Sequence, residues 1–279
     1  MRFIEGLRFV KGQGTENDFV LLPEPPDELD EAMVRALCDR RAGIGADGVL
    51  AVRRKFNIIG EHAGRTDAKF FMDYRNADGS IAETCGNGIR VFARYLVDAG
   101  LEPAGSFEVV TRAGVHRVEV PADGGDITVE MGVPERLPDA KVTIGTTTWP
   151  AYGYAIGNPH LAVLDAGDLD ALDLSAMPAI DPASAFPDGV NVEFTERLGA
   201  KHLRMRVYER GVGETRSCGS GACMAAVAAM DAVCRRTRYD VDVPGGRLQV
   251  EWRDDDIVTL TGPAILVASG DVDPHLWNG

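Results

Sequence analysis

Two cysteines of this chain sit in matching surroundings: Cys85 in AETCGNGIR (residues 82–90) and Cys218 in TRSCGSGAC (residues 215–223). Each precedes a Gly-polar-Gly step at the head of an apolar run. A Gly-rich turn that opens a helix leaves the first-turn N–H groups without intrahelical acceptors, with the positive end of the helix dipole behind them. Because glycine lets a ligand approach the backbone, the amides of Gly86–Asn87 and Gly219–Ser220 suit a carboxylate or phosphate. The same location is expected to lower a thiol pKa from its usual value of about 8.5 and raise the thiolate fraction at neutral pH. One element thus offers a base and an anion clamp.

Two such elements facing each other across a domain cleft suit inversion at one carbon. A thiolate removes the proton next to a carboxylate, and a thiol returns one to the opposite face. Charge developing on the carboxylate is met by helix N-termini already oriented to receive it. The remaining cysteines, Cys38, Cys223 and Cys234, lie inside apolar helical runs and read as small buried hydrophobes. Five cysteines without framework spacing indicate reduced thiols rather than a disulfide scaffold. No CxxC pair or HExxH is present and the histidines (62, 116, 160, 202, 275) are scattered, so no metal site is expected.

The elements that position these cysteines repeat. Asn76 precedes Cys85 by nine residues and Glu209 precedes Cys218 by nine, which suggests that both point into the cleft. Residues 112–134 and 244–264 share a Gly turn, an alternating strand, an acidic turn, a second alternating strand and a closing Gly near Pro, which reads as a hairpin in both halves. NDFVLL from Asn17 corresponds to NPHLAVL from Asn158. Strand-like alternation dominates elsewhere (KFFMDYR, FEVVTR, HLRMRVYE), and helical patterns are confined to DELDEAMVRALCDRR and the runs after Cys85 and Cys218. After Cys85, Ile89, Phe92, Leu96 and Ala99 keep helical spacing up to Gly100. The run ACMAAVAAMDAV is apolar on nearly every side, as expected of a helix enclosed by sheet.

The expected fold is therefore α+β, with two pseudo-symmetric domains, each a mainly antiparallel sheet wrapped around a central helix. The division falls near Val133, giving halves 1–132 with Cys85 and 133–279 with Cys218; the last strand, about 265–279, is allowed to return to the N-terminal half. A length of 279 residues accommodates two such cores. With 29 basic against 43 acidic residues and a net charge of −14, nucleic acid and anionic membrane are poor partners and a small molecule is the better one. No apolar run approaches the roughly 18 residues of a membrane span, and MRFIEGLRFV lacks a signal-peptide pattern, so a cytoplasmic location is expected.

NDFVLL, DRRAGIGADGVL, RNADGSIAETCGNGIR, GNPHLAVL, GVNVEF, ERGVGETRSCGSGAC and TGPAILVASG together resemble the diaminopimelate epimerases, cofactor-independent two-cysteine amino-acid epimerases, over essentially the whole chain. The resemblance implies epimerisation of LL- to meso-2,6-diaminopimelate in lysine and peptidoglycan precursor synthesis, with no pyridoxal phosphate, other cofactor or metal, and a homodimeric assembly. It makes Cys85 and Cys218 the acid/base pair, donor and acceptor respectively in one direction. Gly86, Asn87, Gly219 and Ser220 would hold the carboxylate at the reacting centre. Asn17 would contact substrate nearby, while Asn76, Asn158, Asn191 and Arg210 would bind the unreactive end. Glu209 and His160 would tune the thiols and help hold the reacting amino group. The chain departs from the pattern twice: KGQGTENDF replaces a commoner His-Gly-x-Gly-Asn form, and Gly48 stands where some members carry a substrate-contacting Gln. At Gly48 a backbone or water contact is expected instead. Two other readings follow from the same residues: a proline or hydroxyproline racemase or epimerase, which would leave the distal set idle, and a redox switch in which Cys85 and Cys218 form a reversible disulfide.

Overall fold

The alternating segments become strands whose pairing order is the same in both halves of the chain. The computed structural model describes residues 6–54, 67–273, 275 and 276. His62 and the end of the expected last strand, residues 277–279, lie outside the described residues. The chain divides into two units, Met1–Val129 with Pro263–Gly279, and Glu130–Gly262, so that Cys85 lies in the first and Cys218 in the second.

In the first unit β1 (Arg8–Gly14) turns through Thr15 and Glu16, with φ of 51° and 60°, into β2 (Asn17–Leu22). Two successive left-handed residues match the twist of a tight hairpin. Gln13 supports this turn by accepting a 2.7 Å hydrogen bond from the Glu16 N–H. Helix α1 (Glu31–Cys38) starts at Asp30, whose carboxylate caps the Met33 N–H at 2.8 Å. It is shorter than the helical pattern of DELDEAMVRALCDRR. The Asp39 carboxylate accepts from the N–H groups of Arg41 and Ala42, both at 2.7 Å, and this local turn replaces the next helical turn.

β3 (Gly48–Arg54) runs parallel to β2, and β4 (Phe70–Asn76) runs antiparallel to β3. After α2 (Gly86–Asp98) come β5 (Gly105–Thr111), parallel to β4, then β6 (Gly114–Val120) and β7 (Ile127–Gly132), each antiparallel to its predecessor. The strand Ile265–Asp271 pairs antiparallel with β1. Ile89, Val91, Phe92, Ala93 and Leu96 of α2 are wholly buried. Each larger side chain so buried contributes roughly 1.5–3 kcal/mol. The helix packs so closely on β1 that a Cβ on Gly12 would stand 2.5 Å from Val91 Cγ1. Gly100, at φ 67°, ends α2 where the helical spacing ends, and Leu101 N–H returns to the Leu96 carbonyl.

The second unit contains β8 (Glu135–Arg136), β9 (Ala140–Ile144), β10 (Thr147–Ile156), β11 (Asn158–Val163), β12 (Ala179–Asp181), β13 (Asn191–Gly199), β14 (His202–Glu209) and β15 (Gly213–Thr215). Helix α3 (Gly219–Asp231), β16 (Arg238–Val243), β17 (Gly246–Trp252) and β18 (Val258–Gly262) follow. β10–β11 is a hairpin, β11 is parallel to β13, β13–β14 is antiparallel, β14 is parallel to β16, and β16–β17–β18 is antiparallel. That is the order found for β1 to β7, with α2 and α3 at equivalent places. The α+β class and the helix enclosed in each half agree with the alternation and the duplicated frame. The parallel pairs are additional, since alternation fixes which face a strand buries and not which strand lies beside it.

Nearly every residue of α3 is buried, as its unbroken apolar run requires. Cys38 and Cys223 are buried, and burial pushes the Cys38 thiol up to about 12. Cys234 corrects the expectation: α3 stops at Asp231, and Cys234 lies in the following turn at φ 50°, exposed.

Candidate active site

Cys85 is the residue before α2, in extended conformation (φ −151°, ψ 117°) and half-buried. Its thiol donates to Asn17 Oδ1 at 3.5 Å. The same oxygen accepts from Asn87 Nδ2 at 3.2 Å, while Asn17 Nδ2 donates to Asp47 Oδ2 at 2.8 Å. Arg90, a single turn into the helix and 0% exposed, donates to Asn87 Oδ1 at 3.0 Å and to the carbonyls of Gly86 and Pro263 at 3.3 Å. Asp47 is held from behind by Arg40, which also bridges Asp18. Burial alone would raise the Asp18 pKa, but hydrogen bonds from Arg40 and Lys11 bring it down to about 2. The parallel register of β2 with β3 places this acidic pair next to Asn17. The structure thus groups Asn17, Cys85 and Asn87 and adds Asp47 and Arg90, which the sequence reading did not select.

Asn76 closes β4 opposite Gly48 and forms a turn with Ser80, donating from Nδ2 to Ser80 Oγ at 3.0 Å. A Cβ on Gly48 would stand 2.5 Å from the Arg75 carbonyl and 2.7 Å from the Tyr74 ring, so no side chain fits at that position in this chain.

In the second unit Cys218 caps α3, accepting through sulfur from the Gly221 N–H at 3.4 Å, with Ser220 Oγ 3.6 Å away. The Glu209 carboxylate acts on this thiol by its charge and itself accepts from Thr215 Oγ1. β11 brings His160 opposite Asn191 of β13, and His160 Nδ1 lies 2.7 Å from Glu193 Oε1, both side chains fully buried. The head of α3 sits directly over this pair: a Cβ on Gly221 would be 2.6 Å from Glu193 Oε1 and 3.2 Å from Cys218 Sγ.

These surroundings overturn the lowered thiol pKa expected at Cys218. Burial, followed by the charges of Glu209 and Glu193, pushes the Cys218 thiol well above its ordinary range, and the opposing bonds from Ser220 and Gly221 are smaller. A helix end contributes about 0.3–1 kcal/mol to an exposed charge, less than the cost of burying an anion beside two carboxylates. Cys218 is a thiol at neutral pH. Glu209 is raised too, by burial first; Thr215 opposes that and the charge of Glu193 adds to it.

A third group forms at the same end of β11 and β13. The Arg210 N–H donates to Asn191 Oδ1 at 2.9 Å, and its guanidinium donates to the Asp188 carbonyl at 3.1 Å and to Asn158 Oδ1 at 3.4 Å. Asn158, Asn191 and Arg210 are therefore one hydrogen-bonded cluster. Glu193 is the residue here that sequence reading missed. Its one signal was its place two residues after Asn191, on the same face of the strand. Among the described residues no helix is long and apolar enough to cross a membrane, and no group of three or more His, Cys, Asp or Glu side chains forms a metal cage.

The family model for diaminopimelate epimerase matches residues 9–137 and 154–267. A protein named diaminopimelate epimerase from Streptomyces coelicolor is 51% identical over 285 residues, covering 98% of each chain. Relatives of the same name from Thermobifida fusca (50% identical, 95% of this chain and 98% of the relative) and Rhodococcus jostii (48%, 97% and 99%) are similar over the same extent. Among solved structures, a hydroxyproline epimerase from Agrobacterium vitis shares the fold at a TM-score of 0.67 and 16% identity, covering 99% of this chain and 96% of that one. A phenazine biosynthesis protein of the PhzF family from Bacillus anthracis does so at 0.63 and 16%, covering 97% and 100%. With a match that runs through both Cys-capped helices and covers nearly the full length of its relatives, the chain belongs to the diaminopimelate epimerase family.

Proposed function

We propose that this chain interconverts LL- and meso-2,6-diaminopimelate by a two-base mechanism, as a cytoplasmic homodimer serving lysine and peptidoglycan precursor synthesis. The observation that carries the reading is a Cys-capped helix in each half of a duplicated fold, in a chain of this family. One thiolate takes the Cα proton, the C–H electron pair passes into the adjacent carboxylate, and the other thiol delivers its proton to the opposite face, leaving a thiolate there. In one direction Cys85 donates and Cys218 accepts; in the other the roles exchange.

The amides of Gly86, Asn87, Gly219 and Ser220 hold the reacting carboxylate and receive the charge that develops on it. Asn17, fixed by Asp47 and Asn87, orients the Cys85 thiol and contacts substrate beside it. Glu209 and His160 tune the thiol chemistry and help hold the reacting amino group. Asn158, Asn191 and Arg210, already linked to one another, bind the unreactive amino-acid end together with Asn76. A planar two-pronged donor such as Arg210 suits the distal carboxylate. Conversion of each diaminopimelate isomer by Cys85→Ala and Cys218→Ala proteins tests this scheme. Both variants are expected to lose at least the ~10²–10⁴-fold that a positioned acid or base supplies, and near wild-type conversion by either would refute it.

A further inference from the structure

The floor beneath the two catalytic-candidate thiols differs between the halves. Asn17 and Asn158 open β2 and β11, and Gly48 and Asn191 open β3 and β13. Phe19 faces Gly48 in register as His160 faces Asn191. Phe19 and Leu50 of the first half therefore correspond to His160 and Glu193 of the second. The helix heads confirm the equivalence: a Cβ on Gly88 would meet Leu50 Cδ2 at 3.3 Å and Phe19 Cζ at 3.5 Å, whereas a Cβ on Gly221 would meet Glu193 Oε1 at 2.6 Å. An apolar pair underlies Cys85, and an ionisable pair underlies Cys218.

Burying a carboxylate and an imidazole costs stability unless both are fully satisfied. Here Glu193 Oε2 and His160 Nε2 are buried with no hydrogen-bond partner. A fold that packs Phe and Leu at these positions in its other half has an apolar solution available. We propose that Glu193 is a positioning residue for Cys218: its carboxylate, under the first turn of α3, orients the His160 imidazole through Nδ1 and keeps the Cys218 thiol protonated between turnovers. The groups facing Cys218 are Glu193 from β13, Glu209 from β14, His160 from β11, and Ser220 and the Gly221 amide from α3 itself. Glu209 and Glu193 both act on the thiol by charge, and Glu193 acts also through His160. The effect on catalysis rests on Cys218 being one of the two reacting thiols.

The test is the pH dependence of Cys218 alkylation by iodoacetamide, followed by mass spectrometry of the Cys218 peptide in the full-length protein. Glu193→Gln keeps an acceptor for His160 Nδ1 and removes the charge. Its alkylation midpoint is expected to fall by about one pH unit or more, the scale of a neighbouring like charge. The limb of the kcat/KM profile belonging to Cys218 should move the same way. Glu193→Asp retains a carboxylate on a shorter stem and is expected to give a smaller fall, so it serves if the Gln variant does not fold. A midpoint unchanged from wild type in whichever variant folds overturns the proposal, whatever happens to thermal stability. The two readings separate: wild-type protein that fails to convert diaminopimelate while E193Q still shifts Cys218 sinks the functional reading alone, and an active enzyme whose Cys218 ignores E193Q sinks this one alone.

Discussion

At the residue scale, the chemistry depends on side chains whose neighbours hold them before substrate arrives. Arg210 shows this most clearly, because its backbone N–H and guanidinium are tied to Asn191, Asp188 and Asn158. Lysine can carry the charge but cannot make the same forked contacts. Arg210→Lys is expected to raise KM for diaminopimelate about tenfold or more, the equivalent of a lost charged hydrogen bond of roughly 1.5–3 kcal/mol, with a smaller change in kcat; steady-state kinetics check it. The two cysteines were legible from type and spacing alone, since a helix head needs no tertiary context to be recognised, whereas the roles of Asn17, Asn76, Asn158 and Asn191 came only from the resemblance. Glu193 was not. In NVEFTER it reads as one polar position of an alternating strand, and only the placement of β11 beside it and of α3 above it makes it buried. The protonation of Cys218 was hidden for the same reason, because dipole and glycines are visible in sequence while burial and two distant carboxylates are not.

At the element scale, one helix position is used differently by the two halves. Gly88 and Gly221 each stand three residues after a cysteine, but an added methyl would meet Leu50 Cδ2 at 3.3 Å in the first case and Glu193 Oε1 at 2.6 Å in the second. Gly221→Ala is therefore expected to cost about 1–3 kcal/mol through overpacking and to disturb Cys218, while Gly88→Ala is milder. Thermal unfolding of the two variants side by side gives the comparison, and equal losses would contradict it. Helix ends were readable where a residue forces them, as at Gly100, and misjudged where a side chain competes with the backbone, as at Asp39. The parallel pairs β2–β3 and β11–β13 lay beyond sequence reading, because each joins strands separated by other elements. Those pairs are what bring Asp47 to Asn17 and Glu193 to His160.

At the scale of the whole molecule, the duplication is the main functional statement. Both halves follow one pairing order and set a helix headed by Cys between the fourth and fifth strands of that order, yet the residues around the two thiols have diverged: Asn17 bonds one and is itself bonded by Asn87, while Glu193, Glu209 and His160 lie about the other. Inversion at a carbon by two thiols needs them in different states at the start of each turnover, one as thiolate and one as thiol. The net charge of −14 is compatible with a small doubly zwitterionic substrate. In the proposed scheme a cyclic imino acid would leave Asn158, Asn191 and Arg210 without a second amino-acid end to bind. The central claim is tested most directly by incubating the purified, metal- and pyridoxal-free protein in deuterated solvent with LL- or meso-diaminopimelate, and separately with proline. Each diaminopimelate isomer is expected to be converted to the other with deuterium at the inverted α-carbon, and proline to be neither exchanged nor racemised. Absence of both exchange and conversion with diaminopimelate, or faster exchange with proline, would contradict it.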